Sequence, residues 1–341
     1  MPSATPGQTE PDAGMIASLR ELGLLTEREG ARFDMLTGGV SSDIWRVATD
    51  GRVYCVKRAL AKLKVAADWY APVERNLFEV AWYQVANELV PGSAPRVLAH
   101  DDSAMLCVME YLEPRTHLLW KDELHAGRAD PLAAAQAGDR LGRIHAGSAE
   151  NPAIYARFPR ADIFQAIRLE PYLEATAARH PDLESQLFAL CRRTAEIRGT
   201  MIHGDVSPKN ILLGPNGPVF LDAECACIGD PAFDIAFCLN HFLLKCLWTP
   251  SARDAFIACF TAMASAYLAQ VCWERVDALE ARAASLLPGL LLARVDGKSP
   301  VEYVTNAGDK DKVRRCAWAL LARPPTRLEQ VAEDWMTELL K

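Results

Sequence analysis

The sequence has no excess of basic residues, since 37 Lys and Arg stand against 44 Asp and Glu, a formal net charge of −7. This balance argues against the broad positive surface that nucleic acids require, and we predict no nucleic-acid partner. Ten cysteines occur, but Cys225 and Cys227 have no second Cys or His pair at metal-ligand spacing nearby. A chain of 341 residues, half of them apolar, needs no disulfide framework, so we predict mostly buried thiols.

Long uncharged apolar runs are also scarce. Residues 1–14 mix Pro, Gly, Ser, Thr and acidic residues without such a run, which predicts a disordered tail and not a signal peptide. Residues 255–273 carry no charge, but Thr261, Ser265 and Gln270 suit lipid poorly, so we interpret this segment as a buried helix. We expect a cytoplasmic protein without a membrane partner, and a homodimer is left open.

The pattern that is present divides the chain into two lobes. Short apolar runs at residues 44–47, 53–57 and 104–111 predict strands, and residues 73–89 have the apolar spacing of a helix. Beyond residue 113 the pattern is mostly helical, at residues 131–146, 182–198, 230–247, the apolar segment above and a C-terminal pair. This predicts an α+β fold, with one lobe over residues 15–112 and a helical lobe over residues 113–341.

A short hairpin inside the helical lobe collects the polar residues of interest. Strands at residues 211–213 and 219–221 flank a Pro-Asn-Gly turn, with Asp205 and Asn210 at the entry and Asp222 at the exit. Carboxylate and amide oxygens gathered in this way suit Mg²⁺, which binds through a few such ligands together with phosphates. Phosphoryl transfer requires that metal and a carboxylate near the attacking hydroxyl.

The motifs around this hairpin resemble those of one enzyme family. The stretches His203-Gly204-Asp205, Asp222-Ala223-Glu224 and Gly229-Asp230-Pro231 resemble the aminoglycoside phosphotransferase and choline kinase-like small-molecule kinases. The N-terminal half resembles the methylthioribose kinase-like subgroup in Val56-Lys57-Arg58-Ala59-Leu60, Trp69 and the Arg75–Glu79 spacing. The resemblance covers roughly residues 33–320. It implies a bilobal, protein-kinase-like fold with a small antiparallel sheet, one main N-lobe helix and a larger helical lobe.

The resemblance also implies roles for individual residues, with ATP and Mg²⁺ as cofactors. Asp205 would act on the acceptor hydroxyl of a small hydroxylated substrate, and Asn210 and Asp222 would hold the metal. The nucleotide-binding residues would be the Lys57–Glu79 pair, the turn of Gly38, Gly39, Ser41 and Ser42, and the hinge of Met109, Glu110 and Tyr111. Glu74 competes with Glu79 as the partner of Lys57. Glu224 would support a second metal position or pair with a lysine, and hinge backbone would serve ATP or GTP.

Two histidines and two carboxylates near these motifs have structural interpretations. We predict that His203 shapes the loop and is not a base, because the Asp205 carboxylate already fills that role. His145 is interpreted as a packed helix histidine. Asp230 and Asp234 are interpreted as groups that fix the backbone near the catalytic loop.

Departures from related patterns narrow the function. No Phe-Gly follows Asp222 and no Ala-Pro-Glu segment follows it either, which argues against a protein kinase. Methylthioribose kinases lack an asparagine at the position that Asn210 matches. An aminoglycoside-modifying resistance kinase would need an acidic site, which the even charge distribution does not indicate. A nucleotide-binding pseudokinase is the remaining alternative.

The acceptor site is predicted from one charged segment. Residues 292–300 follow an apolar run and hold Arg294, Asp296 and Lys298. We interpret this segment as a loop at the substrate-facing edge, where Arg294 and Lys298 would suit an anionic group. A solvated loop without contact to substrate is the alternative.

Overall fold

A five-stranded antiparallel sheet forms the N-terminal lobe, in the order β1-β2-β3-β5-β4. The structure is a computed structural model that describes residues 10–26, 30–36, 41–62 and 71–341. The lobe contains α1 (Ala13–Glu21), β1 (Arg32–Met35), β2 (Ser42–Thr49), β3 (Arg52–Ala59), α2 (Arg75–Leu89), β4 (Val97–Asp101) and β5 (Leu106–Glu110). The three predicted strands and the predicted helix are therefore confirmed, while α1, β1 and β4 were not predicted.

The two faces of this sheet contact different helices because side chains alternate along each strand. Trp45, Val47 and Val56 pack with Met15 and Leu19 of α1 on one face. Cys107 and Met109, from the same sheet, belong to the core that includes α2. Lys57 follows Val56 on β3, so its side chain lies on the α2 side.

The start of α1 corrects part of the tail prediction. Asp12 caps the helix by accepting a hydrogen bond from the backbone N–H of Met15, at 2.8 Å. Ala13 and Gly14 are the first helical residues, so the lobe begins before residue 15. The rest of the predicted tail, residues 1–9, lies outside the described residues, as do Gly38, Gly39 and Trp69.

The C-terminal lobe is mostly helical, as predicted. Its longer helices are α4 (Pro131–Ser148), α8 (Glu184–Glu196), α9 (Pro231–Trp248), α10 (Arg253–Leu268), α11 (Val276–Asp296), α12 (Ala307–Ala322) and α13 (Leu328–Leu339). Short helices are α3 (Trp120–His125), α5 (Pro152–Tyr155), α6 (Asp162–Phe164) and α7 (Ala175–Ala177). A π-helix, Gln165–Glu174, joins α6 to α7. Such helices are rare and often lie at functional sites, and the sequence analysis did not predict this one.

Two small sheets in this lobe position the candidate loops. β8 (Ile211–Gly214) and β9 (Gly217–Phe220) form the predicted hairpin, and β6 (Leu118–Leu119) extends it to three strands. Gly217, with a φ of 100°, allows the tight turn. β7 (Thr200–Ile202) pairs with β10 (Cys227–Gly229). The segments after β7 and after β9 lie side by side, since His203 Nε2 is 3.0 Å from the carbonyl oxygen of Leu221, and Asp222 contacts Lys57 of the N-terminal lobe.

Helix α10 confirms the interpretation of the uncharged apolar segment. It packs closely on α4, where a Cβ at Gly138 would lie 2.3 Å from the carbonyl oxygen of Met263. Its buried residues include Phe256, Phe260 and Tyr267. Among the described helices, none combines the length and the apolar character that crossing a bilayer requires. The cysteines are free, and all except Cys55 and Cys272 are buried.

Candidate active site

Asp205 lies in the loop between β7 and β8 and is held through one carboxylate oxygen. Its Oδ2 accepts a hydrogen bond from Asn210 Nδ2 at 2.8 Å, and it lies 2.6 Å from Arg168 Nη2 and 3.1 Å from Lys209 Nζ. Its Oδ1 is buried and has no hydrogen-bond partner among the described residues. One oxygen is thus fixed, and the other remains able to accept a proton from a ligand.

The cations beside Asp205 keep this carboxyl ionised. Burial raises the pKa of Asp205, but the charges of Arg168 and Lys209 offset that effect, and the pKa is lowered from its ordinary value. Arg168 also donates from Nε to the carbonyl oxygen of Gly204 at 2.8 Å. It therefore positions both the carboxylate and the loop that carries it.

His203 is a structural residue of this loop, as predicted. Its Nε2 lies 3.0 Å from the carbonyl oxygen of Leu221, and its Nδ1 accepts from the backbone N–H of Asp205 at 3.2 Å. Burial lowers the pKa of His203, so the neutral ring that these two bonds require is favoured. The ring therefore links the start of the β7–β8 loop to the residue that follows β9.

Asp234, at the start of α9, fixes the backbone of the same loop. Its carboxylate accepts from the backbone N–H groups of His203, at 2.6 Å, and Gly204, at 2.8 Å. His145 supports it with Nε2 at 3.3 Å from Oδ2, so the interpretation of His145 as a packed helix residue is confirmed. Gly204 has a φ of 77°, and a Cβ there would lie 2.6 Å from that of Cys225. Only glycine fits this turn.

Asp230 has a different task from Asp234. It caps α9 by accepting from the backbone N–H of Ala232 at 3.1 Å and lies 3.1 Å from Nη2 of Arg282 on α11. It therefore fixes the helix that carries Asp234.

Lys57 contacts three carboxylates where the two lobes meet. Its Nζ lies 2.8 Å from Glu79 and 3.0 Å from Glu224, and it also pairs with Asp222. Burial lowers the pKa of Lys57, but Asp222, Glu224 and Glu79 together raise it well above its ordinary value. Glu74 is exposed at the N-terminal end of α2, so the expected Lys57–Glu79 contact is present and the competing one is not.

Glu224 is held by donors from the N-terminal lobe. The hydroxyls of Ser41 and Ser42 donate to its Oε1 at 2.7 and 2.9 Å, and Nε of Arg75 donates to its Oε2 at 3.0 Å. With Lys57 added, both oxygens are occupied. The contacts agree with pairing to a lysine, the second of the two roles considered for Glu224. A metal at Glu224 would have to displace these donors.

Asp222 and Asn210 fit a magnesium ion. Asp222 has a φ of 66°, and its side chain is 34% exposed. One of its oxygens contacts Lys57, and no described residue bonds the other. Asn210 uses Nδ2 for both of its bonds to Asp205, which leaves its Oδ1 as an acceptor. The described residues contain no cluster of three or more His, Cys, Asp or Glu suited to a metal. Mg²⁺ needs no such cluster, because it retains waters and shares its ligands with phosphates.

The structure describes all of the predicted hinge, whereas Gly38 and Gly39 of the predicted phosphate-binding turn lie outside the described residues. Met109 and Glu110 end β5, and the backbone N–H of Glu110 donates to the carbonyl oxygen of Arg96 at 2.9 Å. Tyr111 follows, and the guanidinium carbon of Arg46 lies over its ring, 5.2 Å from the ring centroid. The bond to Arg96 means that the N–H of Glu110 is not free for adenine.

A family comparison now adds to this geometry. The sequence model of the phosphotransferase enzyme family matches residues 35–279, which is most of the chain and includes Lys57, Asp205 and Asp222. The chain belongs to this family.

Relatives of this phosphotransferase show how far the likeness extends. Methylthioribose kinase 2 of rice, Oryza sativa subsp. japonica, is 23% identical over 266 residues, which cover 68% of this chain and 62% of the relative. The amicoumacin kinase hAmiN, solved in complex with AMP-PNP, Ca²⁺ and Ami, has a TM-score of 0.56 at 15% identity, and the match covers 94% of this chain and 97% of that chain. An aminoglycoside phosphotransferase of Alicyclobacillus acidocaldarius has a TM-score of 0.51 at 14% sequence identity, and the match covers 99% of each chain. These structures confirm the bilobal fold.

The predicted substrate residues of the phosphotransferase require a correction. Residues 292–296 are not a loop, because α11 continues to Asp296. Asp296 binds Arg314 and His180, at 2.7 and 2.9 Å, and is not available to a ligand. Lys298 is exposed and pairs with Glu170. Arg294 is buried and bonds the hydroxyl of Tyr172 at 2.9 Å.

Sequence reasoning missed two contributors to the site of this phosphotransferase. Arg168 lies on the unpredicted π-helix, and no motif marks it. Tyr83 accepts from the backbone N–H of Asp222 at 2.8 Å and donates to Glu79 at 2.6 Å. Its position one turn after Glu79 on α2 was the available signal, since residues four apart share a helix face.

Proposed function

We propose that this phosphotransferase moves the γ-phosphate of ATP to a hydroxyl group of a small molecule. The observation that carries the proposal is the half-held Asp205 carboxylate, whose Oδ2 is fixed by three donors while its buried Oδ1 has no partner. At the catalytic position of a kinase, Oδ1 would accept the proton of the acceptor hydroxyl while the hydroxyl oxygen attacks the γ-phosphorus.

The other residues would bind different parts of the magnesium–nucleotide complex. Asn210 and Asp222 would hold magnesium, which neutralises phosphate charge when it is bound. Lys57, oriented by Glu79, would contact the α- and β-phosphates. Because Lys57 already contacts Asp222, the phosphate-binding and metal-binding groups adjoin each other.

The acceptor does not follow from the relatives. The alignment spans less than two thirds of the rice methylthioribose kinase. From the sequence alone, Asn210 is also expected to depart from the pattern of that subgroup. No described feature favours an aminoglycoside, because Arg168 and Lys209 lie against the Asp205 carboxylate and would repel a polycation. A pseudokinase is also disfavoured, since Lys57, Asp205, Asn210 and Asp222 are all present.

The proposal is tested by ADP release in the presence of MgATP and a panel of hydroxylated metabolites, with ³¹P NMR to identify the product. For an acceptor that the wild type uses, Asp205→Asn should lower kcat about 10²- to 10⁴-fold, the usual share of a general base, while MgATP still binds. The control is Asp182→Asn, at an exposed position, which should leave kcat unchanged. An Asp205→Asn variant with near-normal kcat would refute this role.

A further inference from the structure

Three basic side chains form a buried cluster in the C-terminal lobe. His241 and Lys245 lie one turn apart on α9, and Arg294 lies in the last turn of α11. Their exposed fractions are 5%, 1% and 7%. We call these three residues the basic cluster.

The basic cluster has no matching carboxylate among the residues that the structure describes. Within the described part of the chain, neither Lys245 nor Arg294 has a carboxylate oxygen within 4 Å. Arg294 donates through Nη1 to the hydroxyls of Tyr172 and Ser299, but its Nε, like His241 Nε2, is buried without a hydrogen-bond partner there. Neighbouring cations are paired, Lys121 with Glu302 and Lys298 with Glu170. The basic cluster therefore differs from the basic residues around it.

Aromatic rings do not supply the missing negative charge. The Nζ of Lys245 lies 4.4 Å from the ring centroid of Trp248 and 4.9 Å from that of Tyr303. Cation–π contacts contribute about 0.5–2 kcal/mol. Burying an ammonium costs several kcal/mol, so the rings leave most of this cost unmatched. A buried ammonium without a carboxylate partner would be stabilised by an anionic ligand, so this site is suited to one.

The basic cluster is joined to the catalytic loop by the π-helix. Arg168 of this helix binds Asp205, and Tyr172, one turn later, accepts a hydrogen bond from Arg294. The Tyr172 ring contacts Phe237 at 5.4 Å between centroids, and Phe237 contacts His241 at 5.7 Å. The basic cluster thus lies on the helical-lobe side of Asp205, where an acceptor would bind.

Resting on the proposed kinase activity, we propose that the acceptor is a small hydroxylated anion whose carboxylate or phosphate group binds between His241, Lys245 and Arg294. The anionic group is not altered in the reaction. The acceptor hydroxyl oxygen forms the new bond to the γ-phosphorus, the bond from that phosphorus to the bridging oxygen of ADP breaks, and the hydroxyl proton passes to Asp205. Of the two basic residues first predicted to bind an anion, Arg294 is retained and Lys298 is replaced by Lys245 and His241.

The state of Lys245 adds a pH dependence. Burial, with the charge of Lys121 next, lowers the pKa of Lys245 to about 7, while Glu302, Cys238 and Asp122 act in the opposite direction. His241 faces Arg294, Lys245, Lys209 and Lys121, and burial with these charges lowers its pKa well below the ordinary value. Since the ammonium form of Lys245 attracts an anion, the KM of an anionic acceptor should rise as the pH increases above 7. At saturation kcat should change little by this route.

The first experiment uses inorganic phosphate as the probe, with saturating MgADP present to fill the nucleotide site. Phosphate should raise the melting temperature of the wild type at pH 6.5, relative to chloride at equal ionic strength. It should not raise that of Lys245→Met, an apolar replacement of similar length that relieves an unpaired buried charge and so should fold. Lys298→Met is the matched control, since this lysine is exposed and paired with Glu170, and it should behave as the wild type. Equal protection of Lys245→Met would overturn the anion site.

The second experiment compares acceptors that differ only in the anionic group: glycerol, glycerate and glycerol 3-phosphate, then sorbitol, gluconate and glucitol 6-phosphate. In each series we expect at least tenfold higher kcat/KM for an anionic compound than for the neutral polyol. The preferred anion then shows whether the site binds a carboxylate or a phosphate group. Lys245→Met should raise its KM at least tenfold with kcat within threefold. Turnover of neutral members with equal efficiency would overturn the anion proposal but leave the kinase intact. Phosphate protection without MgATP binding would instead overturn the kinase proposal.

Discussion

The cation nearest to Asp205 determines how that carboxyl titrates. Burial raises the pKa of Asp205 and Arg168 is the largest influence that lowers it, so without Arg168 the effect of burial would be opposed by Lys209 and His203 alone. The ionised carboxylate is the form that accepts a proton, so activity is lost as the pH falls through this pKa. In Arg168→Met we therefore expect the acidic limb of the kcat/KM profile to move to higher pH, with kcat lower by up to about 10²-fold. The measurement is kcat/KM between pH 5 and 9, where the wild type should show no acidic limb because its Asp205 pKa lies below this range, whereas Arg168→Met should show one.

Charge and geometry at Arg168 can be separated by a conservative variant. Arg168→Lys keeps the cation but loses the second donor, which bonds the carbonyl oxygen of Gly204. Its acidic limb should stay near that of the wild type, while kcat still falls. If the methionine and lysine variants titrate alike, Arg168 does not act on Asp205 through its charge.

At the scale of elements, the contact between α4 and α10 depends on a missing side chain. A Cβ at Gly138 would lie 2.3 Å from a backbone oxygen of Met263, which no side-chain rotation can relieve. Gly138→Ala should therefore lower the free energy of unfolding by about 1–3 kcal/mol, although alanine favours a helix by itself. Urea denaturation measures this difference. Gly30→Ala, with open space around the Cβ position, should change it little, and a Gly138→Ala protein as stable as the wild type would contradict the packing argument.

Features set by a short stretch of sequence could be predicted, whereas features set by packing between distant elements could not. The catalytic loop and the Asp222 turn were predictable because one short hairpin joins them, so their proximity is local in the chain. Arg168 was not predictable, because its approach to Asp205 depends on a π-helix and on packing between distant segments. Arg294 was placed in a loop because charged residues concentrate directly after the apolar run that ends at residue 292. Helix α11 continues to Asp296 instead, and Asp296 pairs with Arg314 and His180, partners that are distant in the sequence or on another helix.

At the scale of the whole molecule, Glu224 connects the two lobes. It comes from the turn after β9, and its partners Ser41, Ser42, Lys57 and Arg75 all belong to the N-terminal lobe. Arg75 is fully buried and also donates to the carbonyl oxygens of Ala71, Pro72 and Leu60. One carboxylate therefore ties β2, β3 and α2 to the helical lobe, and its removal should affect the joint between the lobes more than either lobe alone.

Glu224→Gln should lower the free energy of unfolding by about 3–5 kcal/mol, because among the described residues Glu224 is the carboxylate that pairs with the buried Arg75. The Arg128–Glu123 pair is the control, because its arginine is 63% exposed, and Glu123→Gln should change the free energy of unfolding far less than Glu224→Gln. In urea denaturation, Arg75→Met with Glu224→Gln should cost less than the sum of the two single changes, since the second removes a group already unpaired. Strict additivity would mean that the two residues stabilise their own lobes separately. The lobes would then be held together by the Lys57–Asp222 contact and apolar packing, and Glu224 would be free to serve the nucleotide site.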